Sequence, residues 1–506
     1  WLFALLAGVI NYGRLDDYLG PYLVADLESG RLTDEEAYRY IHSLWTMIEN
    51  RRTTVNGRII VGGKGRKHPK EADVFLHIAM KVAKNCRYVE PQFTLRFDKD
   101  TSEEIWDEAL DALGAGATYP TLYNDDVNVP AVMYGMRVDE KAAEQYVPFG
   151  CTEFVIQGQS TGTPNICINL LKLLTIYMND GIDPIDGKRK SGPVPLKKLE
   201  EYQTFEEFYD GYKALLDYYL DLSVKAQYHS YEVMNQHVSF LFTSLLTDDC
   251  IARGKALLDG GVRYLGGTNE TYGNINTSDS LWVIRDLVFN QKKYTLRQLN
   301  DAMLANFNGY EALRKDCLNC DKYGNDLETA DTMANDLYEF VAKGVRDRGI
   351  AIGMQYFLIV ISNNQLNTEW GNRTAASPDG RLSCMYMNPA NNPQGGANKS
   401  GPTAMLNSLA KFDAKYHGGS VQNIKFSPSM FNENRAVIKS LFKTYFAKGG
   451  CHLMVTVVDK GVLEDAVEHP ENYPDLIVRV SGFSAVFVDL SPNIQQELLS
   501  RVLYDE

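Results

Sequence analysis

Four threonines, each followed three residues later by Glu or Gln, mark where helices begin: Thr33-x-x-Glu36, Thr101-x-x-Glu104, Thr204-x-x-Glu207 and Thr295-x-x-Gln298. In such a capping box the hydroxyl accepts from the N3 amide while the N3 side chain reaches back to the cap's own N–H. The residues that follow carry apolar stripes at helical spacing: Ala37, Ile41, Leu44, Trp45 and Ile48 in one case, Ile105, Ala109, Leu110 and Leu113 in another. Between the helices lie short strand-like runs at 58–61, 92–97 and 452–458, and around Gly482. Helices alternating with short apolar strands predict an α/β architecture with the helices outside the strands. No solenoid-length repeat or low-complexity tract interrupts this plan.

Residues 476–487 are the most informative stretch. Ile477, Val478 and Val480 precede a glycine, and Phe483, Val486 and Phe487 follow it. A glycine inside a strand-like run marks a bulge or a close backbone approach. It has a second use. Without a side chain its α-carbon can flatten, and an unpaired electron there is delocalised into the amides on both sides.

Charge and cysteine usage narrow the partners. A net charge of −14 on 506 residues argues against a nucleic-acid or anionic-membrane surface and leaves a small molecule as the expected partner. The apolar start, residues 1–10, is too short to span a bilayer and lacks the basic flank and cleavage site of a signal peptide. The chain opens inside a hydrophobic element without Met, as a fragment lacking its N-terminal part would. Eight scattered cysteines suggest no disulfide framework, so a reducing cytoplasm is the expected compartment. Cys317 and Cys320 form a lone C-x-x-C, either a weak metal or redox signal or a structural coincidence.

Cys151 stands in Gly150-Cys151-Thr152-Glu153. A cysteine after glycine and an aromatic is commonly a small buried hydrophobe. Glu153 lies two residues on, however, so in an extended loop both side chains project to one side.

Arg479-Val480-Ser481-Gly482-Phe483 resembles the C-terminal signature of the glycyl radical enzymes. Tyr119 to Val127 with Gly150-Cys151-Thr152-Glu153 resembles the cysteine-loop region of the pyruvate formate-lyase family, and 371–380 and 401–404 match it in order. The separation of Cys151 from Gly482, 331 residues, is similar to that of the dehydratase branch. The resemblance implies a ten-stranded α/β barrel of two parallel five-stranded half-sheets surrounded by helices, with the cysteine and glycine loops meeting inside. It implies a pyruvate formate-lyase-like domain over 1–370 and a glycine radical domain over 371–506. The boundary falls in the Gly-, Pro- and Asn-rich stretch 370–399, which reads as linker or as active-site loops.

The implied chemistry is radical bond cleavage. A separate radical S-adenosylmethionine activase would take a hydrogen atom from Gly482. That radical would oxidise Cys151 to a thiyl, and Glu153 would act as general base in eliminating a neighbouring group. No permanently bound cofactor and no metal are implied, and family members are commonly homodimers. Pyruvate formate-lyase itself has two adjacent cysteines; here Gly150 takes the first place, which leaves formate C-acetyltransferase as the alternative. Arylacetate decarboxylases and a truncated inactive member rank lower. Two positions depart from the pattern: Phe154 stands where Pro is usual, and Pro164-Asn165 where glycerol-type members have His-Asp. Asn165 and Glu270 are candidate substrate contacts, although Glu270 in its Gly-Gly-Thr-Asn setting also reads as a surface-loop residue. From another class, Asp125, Asp126 or Glu270 could serve a hydrolase, but adjacent carboxylates on an extended segment point opposite ways. Gly62-Gly63-Lys64-Gly65-Arg66 lacks the full phosphate-loop pattern, and the eight histidines show no ligand spacing.

Overall fold

The computed structural model describes residues 9–51, 55–162, 164–361 and 365–505. The side chains of residues 9, 10, 55, 56, 164 and 165 lie outside that description, as does the apolar start at 1–8. The strands are β1 (Val9–Arg14), β2 (Val55–Gly62), β3 (Phe93–Phe97), β4 (Thr121–Asn124), β5 (Tyr146–Phe149), β6 (Glu153–Ile156) and β7 (Pro164–Asn169). They continue with β8 (Gly266–Tyr272), β9 (Tyr356–Ile361), β10 (His417–Ser420), β11 (Asn423–Phe426), β12 (His452–Val457), β13 (Ile477–Arg479) and β14 (Ser484–Val486).

The capping boxes at Thr33 and Thr295 form in full. Thr204 caps its helix through the Glu207 amide, while the Glu207 carboxylate accepts from Gln203 N–H instead. At Thr101 the helix begins one residue late. Its hydroxyl accepts from Asp98 N–H in the preceding turn, so Ser102 becomes the cap.

Parallel strands need crossover connections, which are usually helical. β1 to β4 are mutually parallel, with helices Leu15–Glu28, Asp34–Asn50, Pro69–Asn85 and Glu103–Gly114 between them. β7 to β10 are parallel in turn, as are β11 and β12. Only Val421 and Gln422 separate β10 from β11, and both keep ladder bonds: Val421 N–H donates to Ile361 O, and Met454 N–H to Gln422 O. β10 and β11 are therefore one strand that changes neighbours. It joins β7, β8, β9 and β12 in a parallel half-sheet of five positions, while β1 to β4 supply four among the described residues. The halves meet antiparallel where β4 pairs with β12, His452 opposite Tyr123. This is the plan of two parallel half-sheets with helices outside that the sequence implied. Strands covered on both faces read as unbroken apolar runs, and β9, Tyr-Phe-Leu-Ile-Val-Ile, is buried along its whole length.

Two antiparallel hairpins stand apart from the half-sheets. In β5–β6, β5 lies against β1 and β2 and β6 against β10, so the hairpin spans the space between the halves. In β13–β14, β13 lies against β12. Residues 372–400 hold no helix or strand, as their composition implied, yet Ala390 packs on Cys151, Val421 and Met454.

A buried ion pair anchors the cysteine hairpin. Arg96 Nε and Nη2 donate to the two oxygens of Asp125 at 2.9 and 2.8 Å, with both side chains fully buried. Tyr146 on β5 donates to Asp125 at 2.8 Å, and Arg96 Nη1 donates to Tyr146 O at 2.7 Å. Removing one partner of such a pair leaves a desolvated charge uncompensated, a loss of about 3–5 kcal/mol. Asp125→Asn is accordingly expected to lower the urea midpoint by that much stability, while Asp126→Asn, on a part-exposed pair with Lys64, changes it by about 1 kcal/mol or less.

Candidate active site

The tips of the two hairpins touch. On the first, the last β5–β6 pair is Phe149 with Glu153, which leaves Gly150, Cys151 and Thr152 as the turn. Gly150 has φ +52°, a left-handed conformation that glycine adopts without steric cost. A Cβ there would also lie 2.5 Å from Glu153 Oε2. On the second, the last β13–β14 pair is Arg479 with Ser484. The N–H groups of Val480 and Ser481 both donate to Phe483 O, at 3.1 and 3.2 Å, and close the turn around Gly482. The sequence read this stretch as a strand with a central glycine; the reversal comes from those two bonds. A Cβ built on Gly482 would lie 2.5 Å from Cys151 Cβ and 2.8 Å from Sγ. No side chain fits there. The hydrogen in its place points at the thiol.

One amide oxygen ties the hairpins together. Gln92 Oε1 accepts from Arg58 Nη2 at 2.9 Å and from Arg479 Nη2 at 3.3 Å. Arg58 Nη2 also donates to Gly150 O at 2.9 Å and Nη1 to Thr94 at 2.8 Å. Arg479 donates to Ser484 at 3.3 Å and to Met454 Sδ at 3.0 Å. From the C-terminal side, Arg501 Nη2 donates to Val480 O at 2.6 Å and pairs with Glu497 at 2.8 Å. Sequence reasoning missed Arg58 and Gln92. The available signal was a charged residue heading the apolar run Ile59-Ile60-Val61, which in a strand covered on both faces demands partners.

Cys151 and Glu153 are both buried, as is Glu270. The surface-loop reading of Glu270 is thereby corrected: it lies within β8, paired with Cys167 on β7 and Val360 on β9. Burial pushes the Glu153 carboxyl up to about 7, and the Glu270 charge adds to the shift; the Thr152 N–H, donating to Glu153 Oε2 at 2.9 Å, opposes it. Burial also pushes the Cys151 thiol well up, followed by the charges of Glu153 and Glu270. Cys151 is therefore a neutral S–H at physiological pH. That is the wrong state for a thiolate nucleophile or metal ligand and the right one for giving up a hydrogen atom. Glu153, poised near neutrality, suits proton abstraction.

Around these groups several buried polar atoms make no hydrogen bond among the described residues: Thr152 Oγ1, Ser481 Oγ, Thr268 Oγ1 and His452 Nε2. Thr152 and Ser481 adjoin Cys151 and Gly482, and Thr268 shares a strand face with Glu270. Burial holds both nearby imidazoles neutral, His417 down to about 4 and His452 well below its ordinary value.

The side chain of Asn165 lies outside the described residues, so its expected contact has no counterpart here. Asp125 is engaged by Arg96 and Tyr146 and Asp126 by Lys64, which removes the hydrolytic acid pair. Cys317 and Cys320 form no disulfide; Lys322 Nζ donates to their carbonyls at 2.6 and 3.3 Å at the end of helix Glu311–Asn319. Among the described residues, the cation-ligating side chains that cluster are His77, Glu104 and Glu108, on two outer helices that sequence spacing could not bring together. There His77 Nδ1 sits 2.8 Å from Glu108 Oε2 as a part-exposed pair.

Known proteins are similar to this chain in sequence and fold. A family model described as "Pyruvate formate lyase-like" matches residues 6–366, and one described as "Glycine radical" matches 387–488. The trans-4-hydroxy-L-proline dehydratase of Clostridioides difficile is 29% identical over 97% of this chain and 64% of its own length. The (2S)-3-sulfopropanediol dehydratase of Klebsiella oxytoca is 27% identical over 97% of this chain and 62% of its own. The glycerol-bound form of the B12-independent glycerol dehydratase from Clostridium butyricum superposes with a TM-score of 0.89 at 28% identity, covering 98% of this chain and 64% of that one. The chain thus spans a little under two thirds of the length of these relatives.

Proposed function

This chain belongs to the pyruvate formate lyase-like family, and on that footing we propose that it carries out glycyl radical bond cleavage of the dehydratase or lyase type. Residues 1–370 and 371–506 are taken as its pyruvate formate-lyase-like and glycine radical domains. The observation that carries the proposal is the tip-to-tip contact, which aims a hydrogen of Gly482 at Cys151. A separate radical S-adenosylmethionine activase removes a hydrogen atom from Gly482. The glycyl radical then takes the hydrogen atom of the Cys151 S–H, which regenerates glycine and leaves a thiyl. The thiyl takes a hydrogen atom from a substrate carbon bearing a hydroxyl. Glu153 accepts the hydroxyl proton, and the neighbouring group departs with its bonding pair. The hydrogen atom returns from Cys151 to the product radical, and Gly482 is reoxidised to end the cycle.

Burial supports each step, because it keeps the thiol protonated, raises the base toward neutrality and excludes water from the radicals. The buried polar atoms beside Cys151, Gly482 and Glu270 suit a small polar substrate. Acetyl transfer to form formate is disfavoured by geometry. A second cysteine at position 150 would need a Cβ where the Glu153 carboxylate lies.

After anaerobic incubation with activase and S-adenosylmethionine, electron paramagnetic resonance is expected to show a carbon-centred radical. Cys151→Ala should keep that signal and lose turnover of every hydroxylated substrate tried. Turnover that survives in Cys151→Ala would remove the thiyl from the scheme.

A further inference from the structure

Lys425 on β11 is a buried cation that the radical chemistry does not use. Its Nζ donates to Leu498 O at 3.1 Å, in the last turn of helix Pro492–Ser500. An ammonium has three hydrogens to give, and among the described residues the other two meet no acceptor. Asn423 shares that face of the strand. Neither polar atom of its side-chain amide makes a hydrogen bond among the described residues. Both side chains are about nine-tenths buried, at 9% exposure each, and both line one cavity of about 50 Å³. Val478 on β13 forms part of its wall, which puts the cavity behind the glycine hairpin; Val458, Leu463 and Leu498 are the apolar walls beside it.

No carboxylate is free to answer the ammonium. Both oxygens of Glu497 accept from Arg501, at 2.9 and 2.8 Å. Arg479, which also lines the cavity, is engaged by Met454, Ser484 and Gln92. Burial lowers Lys425 to about 8, the charges of Arg501 and Lys460 push the same way, and Glu497 opposes them. Lys425 is therefore still mainly an ammonium at neutral pH. A buried cation short of a counter-charge is costly, and a small anion beside it relieves that cost. One water needs about 10–15 Å³, so this cavity holds about three to five heavy atoms. Apolar walls suit an anion of single charge with a hydrocarbon end, because desolvating a divalent one costs more.

We propose that the cavity binds a short monocarboxylate, with its oxygens on Lys425 Nζ and the Asn423 amide and its alkyl end against Val458, Leu463, Val478 and Leu498. The site is separate from Cys151 and Glu153, and its occupancy does not depend on the radical scheme.

The test titrates the radical-free 506-residue protein with acetate and propionate and follows the thermal midpoint, in carboxylate-free buffer at constant ionic strength. Both acids are expected to raise the midpoint saturably at pH 7, whereas chloride and the neutral isostere acetamide do not. Lys425→Met should weaken acetate about tenfold or more, and Asn423→Leu less. Acetate pairs with the protonated amine, so in the parent its affinity should fall about tenfold from pH 7 to pH 9. In Lys425→Met that dependence should be gone. Should Lys425→Met fail to fold, Asn423→Leu and the parent's pH profile carry the measurement. No saturable response to acetate or propionate, an equal response to chloride or acetamide, affinity unchanged in the variants, or affinity that does not fall above pH 8 each overturns the proposal.

Discussion

Gly482→Ala, treated with activase and S-adenosylmethionine under anaerobic conditions, is expected to show no carbon-centred radical and no turnover. Two physical effects combine. An alanine α-carbon carries one hydrogen where glycine carries two, and the methyl hinders the planar geometry that delocalises the electron into both amides. The methyl also has nowhere to go, with Cys151 Cβ 2.5 Å and Sγ 2.8 Å from its position. Relief requires the β13–β14 tip to back away from the β5–β6 tip against the restraints from Arg479, Arg58 and the shared Gln92 oxygen. Overpacking of this kind costs about 1–3 kcal/mol, so the thermal midpoint should fall as well. The double variant Cys151→Gly with Gly482→Ala separates the effects: it removes two of the three nearest atoms, Cβ and Sγ, but keeps the α-carbon of residue 151 against the methyl, so part of the stability should return while the radical stays absent. A radical that persists in Gly482→Ala would place the unpaired electron on another residue and end the assignment.

How much of this was legible in the sequence depended on whether a residue advertised itself locally. Cys151, Glu153 and Gly482 sit in short distinctive motifs, and the structure brings all three together. The helices with true caps were legible too, because a Thr with Glu or Gln three residues on makes its bonds within one turn. Thr101 misled because its hydroxyl had a competing partner in Asp98. Glu270 misled for a deeper reason. Its glycine-rich approach has loop composition, yet Gly266 lies flat against the Tyr356 ring on the neighbouring strand, with a would-be Cβ 2.5 Å from Cγ. The residue is small there because a ring from ninety residues later fills the space. Such tertiary causes leave no local periodicity. Arg58, Gln92 and Cys167 escaped notice in the same way, each being defined by a partner more than thirty residues away in the sequence. The change of neighbours between β10 and β11, which completes the five-position half-sheet, depends on two ladder bonds and on no residue preference.

Glu153→Gln is expected to move activity and stability in opposite directions. Loss of the general base should lower kcat by about 10²–10⁴-fold at a substrate concentration that saturates the parent protein. In the parent, a base raised to about 7 is ionised only above that pH, so kcat should fall as pH drops through about 7. In Glu153→Gln that acidic limb should vanish. The stability effect has the reverse sign. The carboxyl ionises near 4.5 when unfolded and near 7 when folded. The folded state therefore holds a proton that the unfolded chain has lost between those pH values. The stability linked to that proton is full below the unfolded value and is lost as pH rises through the folded one, about 3 kcal/mol by pH 8. A glutamine of the same shape has no proton to lose. Urea unfolding at pH 8 should thus find Glu153→Gln about 1–3 kcal/mol more stable than the parent, with the gap closing toward pH 5. A parent protein whose stability does not fall between pH 5 and 8 relative to the variant would mean that the carboxyl is not held near neutrality. The base at the centre of the proposed elimination would then have to be sought elsewhere.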